Sequence, residues 1–314
     1  MLQAMVRLLI VALVIPLGLD LYMPVPEDNP ITPEKIELGR QLFNDRRLSR
    51  DNSIACASCH DPNHAFAAPA AIPSGVFGRR GRRNAPALIN RGWGRAFFWD
   101  GRSATLEEQV LKPIEDPNEM DLPIADAAQR VGLLPDEISR ALATYLRSIM
   151  SGNAPYDRYV NGDRGALSKE ARAGMRFFRG KGNCTACHVG PNFSDEKFHD
   201  TGIAWSGAFL DEGRAAITGQ PADRGAFKTP TLREVEHSTP YMHDGSIDTL
   251  DAVVDYYDRG GNRHTLLDPE LRPLGLSESE KRELVAFLRA LSANGLGSPA
   301  AGRIAVLLCE AGGI

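Results

Sequence analysis

A chain of 314 residues is long enough for two domains of ordinary size, each with its own core. Its formal charge of −4 gives no electrostatic footprint for nucleic acid, and no nucleic-acid partner is expected. Thirty glycines and 21 prolines without any period exclude low complexity and predict long ordered loops.

The chain opens with Arg7 ahead of an apolar run, Leu8 to Leu19, interrupted by Pro16 and Gly18. That run is short for a bilayer span and suits a signal-peptide core, although no clean A-x-A cleavage site follows. Residues 1–30 are therefore read as a signal peptide or a retained N-terminal anchor in the membrane, with a buried N-terminal helix as the plainer alternative. The remainder is expected to be exported, which in a bacterium means the periplasm. Thr32-Pro33 supplies a cap and an N1 proline ahead of Ile36, Leu42 and Phe43 at helical spacing. Pro135-Asp136 opens another helix, with Ile138, Leu142, Tyr145, Leu146 and Ile149 on one stripe. Ser151 to Gly165, rich in Gly, Asn, Pro and Asp, reads as a boundary between two halves. A helix is predicted from Ser168 to Phe178, and Ser277-x-x-Glu280 forms a capping box before Leu284, Val285, Leu288 and Leu291. Strand patterns are scarce, so the fold is read as mainly α.

Five cysteines suggest a disulfide set until their spacing is read. Four form Cys56-Ala57-Ser58-Cys59-His60 and Cys184-Thr185-Ala186-Cys187-His188. In C-x-x-C-H the two thiols add across haem vinyl groups, and the following His ligates iron from one face. His60 and His188 are the expected proximal ligands of two covalently bound haem c groups. Zinc would need four ligands at workable spacing, and a thioredoxin-like dithiol would need a βαβ context. Each half runs helix, motif, long Gly/Pro-rich loop and closing helix. The expectation is two tandem cytochrome c-like haem domains, residues 31–160 and 161–298, with a tail at 299–314. Cys309 in that tail reads as a bland thiol, or as one that pairs between molecules. Arg79, Arg80, Arg82 and Arg83 are candidates to neutralise haem propionates, against the plainer reading of a solvated basic loop. His64 is too close to His60 to reach around a haem. His199 and His243 are candidate distal ligands, although a lone histidine is more often structural.

Further motifs carry a resemblance. They are Arg83-Asn84-Ala85-Pro86, Phe98-Trp99-Asp100-Gly101-Arg102, Leu106-Glu107-Glu108-Gln109, Pro113 and Glu119-Met120 in the first half. In the second half they are Phe227-Lys228-Thr229-Pro230-Thr231-Leu232-Arg233 and Pro240-Tyr241-Met242-His243-Asp244-Gly245. Together they resemble the bacterial di-haem cytochrome c peroxidase and MauG family over roughly residues 30 to 292.

The resemblance implies roles for several residues. Peroxidases of the family carry a Met distal ligand on the second haem, whereas the MauG-like, MbnH-like branch has Tyr. The matching position, 17 residues beyond Pro240, is Tyr257, with Tyr256 and Met242 as rivals. Glu119 resembles the family's distal carboxylate at the first haem, and Gln109 and Pro113 match positions lining that pocket. The family's removable distal His corresponds to Val76, which implies an open first haem that needs no reductive activation. Trp99 resembles the tryptophan that passes charge between haems. Asn84, with main-chain oxygens near Ser238 and Pro240, matches an interhaem Ca2+ site. MauG has a Trp where Gly182 stands, so its exit route toward a protein substrate is not carried over. The implied activity uses hydrogen peroxide to form a high-valent di-haem state. That state oxidises a donor, Trp or Tyr of an exported partner protein, by long-range electron transfer. One alternative is a peroxidase fed by a small cytochrome or cupredoxin; another is a plain electron carrier.

Overall fold

The computed structural model describes residues 9–205, 211–293 and 304–308. Along them run α1 (Pro33–Phe43), α2 (Cys56–Cys59), α3 (Leu106–Gln109), α4 (Lys112–Glu115), α5 (Ile124–Val131), α6 (Pro135–Ser148) and α7 (Pro155–Val160). They continue with α8 (Lys169–Arg179), α9 (Ala215–Thr218), α10 (Leu250–Asp258) and α11 (Glu278–Arg289). Two antiparallel strand pairs complete the list, β1 (Leu9–Leu13) with β4 (Ile304–Leu308) and β2 (Phe198–His199) with β3 (Phe227–Lys228). The protein is mainly helical.

The capping chemistry places the long helices. The hydroxyl of Thr32 accepts the Lys35 N–H at 3.2 Å, with Pro33 filling the first helical position. Ser168 accepts the Ala171 N–H at 3.0 Å, and Ser277 and Glu280 bond reciprocally as a capping box. Each half then closes with one helix pair, α1 on α6 and α8 on α11. Both crossings are tight at a glycine. A Cβ on Gly39 would lie 2.1 Å from the Ala141 carbonyl oxygen, and one on Gly174 would lie 1.8 Å from that of Glu283. One core gathers Ile36, Leu42, Phe43, Phe66, Ile114 and Leu142. The other gathers Phe178, Phe193, Val254, Leu284, Phe287 and Leu291. Full burial of each such side chain stabilises by about 1.5–3 kcal/mol.

The segment from Ser151 to Gly165 contains α7 and is bonded on both sides. Asp157 takes the Arg233 guanidinium at 2.6 Å, with both side chains 1% exposed. Arg233 also donates to the carbonyls of Pro191 and Gly18. Ser151 donates to the Glu234 carboxylate and exchanges hydrogen bonds with the Asn90 side chain. Within the apolar N-terminal run, Leu9–Leu13 form a strand paired with Ile304–Leu308, in place of the buried helix weighed as the plainer alternative. Beyond β1, the Asn153 N–H donates to the Leu17 carbonyl, and the Trp93 indole donates to that of Tyr22. No helix among the described residues is long and apolar enough to cross a membrane. Residues 1–8 and Cys309 lie outside the described residues.

Candidate functional site

The two C-x-x-C-H motifs are built alike. His60 N–H bonds to Cys56 O at 3.0 Å, and His188 N–H bonds to Cys184 O at 2.9 Å. His60 Nδ1 lies 2.9 Å from the Phe66 carbonyl oxygen, and His188 Nδ1 lies 2.8 Å from that of Phe193. A proton committed at Nδ1 leaves Nε2 bare for a metal, which is how carbonyls orient ligating histidines. Both carbonyls belong to phenylalanines in the left-handed region, at φ 54° and 50°. That conformation costs a non-glycine residue about 1–2 kcal/mol, so the same local strain is held twice. Burial lowers the proton affinity of both imidazoles and keeps them neutral.

None of these four cysteines is in a disulfide. Burial pushes the thiols of Cys56 and Cys184 up to about 12, and that of Cys59 to about 11. Such thiols are poor redox nucleophiles. Among the described residues no group of three or more His, Cys, Asp or Glu is placed to hold a metal. Instead, both motifs open onto one cavity of about 1120 Å³. That exceeds the roughly 300–1,000 Å³ of a single small-molecule pocket and suits two large planar cofactors.

On the first motif's side Glu119, Gln109 and Pro113 line the cavity. Burial, with repulsion from Asp116, pushes the Glu119 carboxyl up to about 7 against the opposing pull of Arg102. Its loop is pinned. The Val76 N–H donates to Glu119 O at 2.8 Å, the Gly75 N–H donates to Arg79 O at 2.8 Å, and the Arg79 guanidinium reaches Pro117 O at 2.8 Å. Arg79 also pairs with Asp121 at 3.0 Å and turns away from the cavity, so it is not placed for propionates. Arg83 lines the cavity but is held by Asp100 at 2.6 Å and Asp211 at 2.8 Å. Arg80 and Arg82 also line it.

The second side is different. Tyr257 lines the cavity, and burial pushes its phenol well above the ordinary range. Neighbouring Tyr256 points elsewhere, donating to Thr201 O at 2.7 Å and accepting the Asn262 N–H at 3.1 Å. Met242 shares the cavity wall with Tyr257. His243 stacks on Phe227 at 3.7 Å, and burial drops its imidazole to about 4. Hydrogen bonding with the Cys187 sulfur, then with Asp268 at 2.6 Å and Asp195 at 3.0 Å, pushes the His199 imidazole up to about 10 against burial. Both histidines thus have structural partners.

Between the sides, the Trp99 indole donates to Asn84 O at 2.9 Å, and its own carbonyl accepts the Lys228 N–H at 2.8 Å. Asn84, Ser238 and Pro240 all line the cavity. The Asn84 amide nitrogen donates to the carbonyls of Ala70 and Ala71, both at 3.1 Å, so its Nδ2 is committed. Lys228 gives no signal beyond its place in the second-half motif. It is buried in the cavity wall, donates to Thr229 O at 3.0 Å and lies 3.7 Å from Glu196. Burial and Arg91 lower its amine to about 7.

The family description of the di-haem cytochrome c peroxidases matches residues 33–136. The methylamine utilization protein MauG of Methylorubrum extorquens is 39% identical over 289 residues, spanning 86% of this chain and 82% of that protein. The cytochrome-c peroxidase IdrP1 of a Pseudomonas species is 36% identical over 317 residues, spanning 86% and 84%. The crystal structure of a MauG-like protein associated with microbial copper homeostasis superposes with a TM-score of 0.80 at 32% identity, covering 88% of this chain and 95% of that one. Likeness of that extent, in sequence and fold together, makes this chain a member of the di-haem cytochrome c peroxidase and MauG family, a haem-dependent oxidoreductase.

Proposed function

We propose that the chain is a MauG-like enzyme. It reduces hydrogen peroxide on the His60 side and oxidises a donor outside the cavity, a tryptophan or tyrosine of an exported partner protein, by long-range electron transfer. The observation that carries this reading is the asymmetry of one shared cavity. An acid poised at about 7, Glu119, stands on the first side, and a buried phenol, Tyr257, stands on the second. Covalent haem c at each motif, bound through Nε2 of His60 and His188, supplies peroxide reduction and electron transfer when present.

The chain's own residues then divide the work. At neutral pH both forms of Glu119 are populated. Its carboxylate takes the proton from one peroxide oxygen and returns it to the oxygen that leaves as water. Gln109 and Pro113 wall that approach. Trp99, held by Asn84 and by the backbone of Lys228, bridges the two sides. Tyr257 would hold the metal of the second side when the cofactor is bound, where a hard phenolate would favour its oxidised state. The Asn84 amide oxygen and the main-chain oxygens of Ser238 and Pro240 make a hard, neutral donor set suited to Ca2+. Residues 31–160 and 161–298 form the two haem domains, and the apolar start of the chain supports export to the periplasm.

Membership of an enzyme family sets aside the plain electron carrier. A donor-fed peroxidase is the second reading, favoured by the kinship to IdrP1 and by Met242 on the same wall as Tyr257. Adding peroxide to the fully oxidised protein separates the two. A long-lived product two electrons above the resting state supports the first reading, and inertness until pre-reduction supports the second. Electron paramagnetic resonance of the resting protein should count one high-spin and one low-spin site.

A further inference from the structure

A polar-aromatic cluster lies beyond the cavity wall, unused by the chemistry above. The short turn Ile203–Trp205 carries the Trp205 indole back over Asp200, and its Nε1–H donates to Asp200 Oδ2 at 2.8 Å. The His264 imidazole stacks on the indole, with centroids 4.3 Å apart and planes at 28°. The Leu266 N–H donates to His264 Nδ1 at 3.2 Å, which leaves the ring proton on Nε2, 3.3 Å from the same carboxylate. Asp200 is 5% exposed and also accepts the Gly202 N–H at 2.8 Å. Burial raises its affinity for a proton. Trp205 itself is half-buried, with part of its surface open to solvent. Arg224, 5.9 Å over the ring, is neutralised by Glu212.

The cluster is connected to the second side of the cavity. Tyr257, on the wall, meets Tyr256 edge-on at 5.7 Å. Tyr256 accepts the Asn262 N–H, and the Asn262 amide donates to Gly202 O at 3.2 Å. That carbonyl also takes the main-chain N–H of Trp205 at 3.3 Å. Ring contact and hydrogen bonds form one series from Tyr257 to Trp205. An indole is readily oxidised by one electron, and a carboxylate at its N–H stabilises the resulting positive charge and receives the proton.

We propose that Trp205 is the relay through which the second side of the cavity draws electrons from the external donor, with Asp200 as its proton partner. The relay rests on the peroxide-driven reading above. Trp205 gives one electron inward as its indole proton passes to Asp200 Oδ2. The donor then gives one electron to the indole radical, and Asp200 returns the proton. Hydrogen peroxide is the final acceptor. With two electrons and two protons it becomes two waters, so the relay turns over twice per peroxide.

The test treats the haem-loaded wild-type protein with peroxide in the absence of donor and maps oxidised tryptophan by peptide mass spectrometry. Oxidation concentrated at Trp205, rather than at half-buried Trp93, is expected. Freeze-quench electron paramagnetic resonance with ring-deuterated tryptophan should show an indole radical whose line shape changes with the label. That signal should be lost in Trp205→Phe and kept in Trp93→Phe. With the bulky one-electron donor ABTS, Trp205→Phe should slow donor oxidation by about tenfold or more. Peroxide consumption with Trp205 unmodified, or an unchanged radical in Trp205→Phe, overturns the relay and leaves the proposed function standing. A wild-type protein that consumes no peroxide overturns both. The mapping needs no variant, so misfolding of Trp205→Phe cannot obscure the answer.

Discussion

The two haem-motif regions agree on one face of the cavity and part company on the other. At the attachment face each histidine is aimed by the carbonyl of a left-handed phenylalanine, within 0.1 Å of the same distance. On the opposite face one region offers an acid on a loop, and the other a phenol on α10. The two faces place their groups by different means. A helix turns about 100° per residue, so of Tyr256 and Tyr257 only one faces the cavity. A loop has no such period, and Glu119 is fixed by backbone bonds from Val76 and by Arg79 on Pro117. The two motifs are held alike, and the cavity groups on their sides, Glu119 on one and Tyr257 on the other, differ in chemistry.

The strongest way to break that contrast is Glu119→Gln. We expect peroxide reduction to slow by roughly 10²–10⁴-fold in stopped-flow mixing, the usual worth of a positioned acid–base group. The carboxylate is the form that accepts the proton, and its pKa is raised to about 7. The wild-type rate should therefore climb as pH rises through 7, and the variant should lose that climb. An unchanged rate would erase the distinction between the two sides.

Next in size is Asp157→Asn, which strips the partner from Arg233 where both are 1% exposed. Breaking a buried pair costs about 3–5 kcal/mol, readable as a lower urea midpoint. A loss confined to one of two unfolding steps would show that the halves are less dependent on this contact than its burial implies. Tyr257→Met should raise the potential of the second site by about 0.1 V or more, inside the roughly 0.8 V range that axial groups span. Spectroelectrochemistry would see one site move and the other stay.

Tyr256→Phe should leave both spectra alone and cost about 1–3 kcal/mol, since Thr201 O and Asn262 N–H lose their partner. A spectral change there would reverse the assignment of the two tyrosines. The smallest effect is Thr32→Ala, about 1 kcal/mol in thermal unfolding from a lost helix cap, with the cavity untouched.

Local chemistry was the legible part of the sequence. Thr32, Ser168 and Ser277 announce their helices because a cap and its target lie three residues apart. The haem motifs are legible for the same reason. Contacts between distant residues were not. Arg79 and Arg83 look alike in the sequence, yet Asp121 draws one away from the cavity while Asp100 and Asp211 hold the other on its wall. The polar composition around α7 gives no hint of its buried ion pair because the partner, Arg233, is 76 positions away. The partner of β1 is nearly the whole chain away. Lys228 is inconspicuous until the fold buries it beside Glu196.

The bonds that pin the Glu119 loop also bear on control. On the proposed reading, a loop fastened with Glu119 already on the cavity wall favours an enzyme that meets peroxide without first rearranging. Restraint must then come from the supply of the reducing partner. When that partner runs short, oxidising power has nowhere to go but the protein's own side chains. Such a catalyst is safest in a cell that makes it together with its customer.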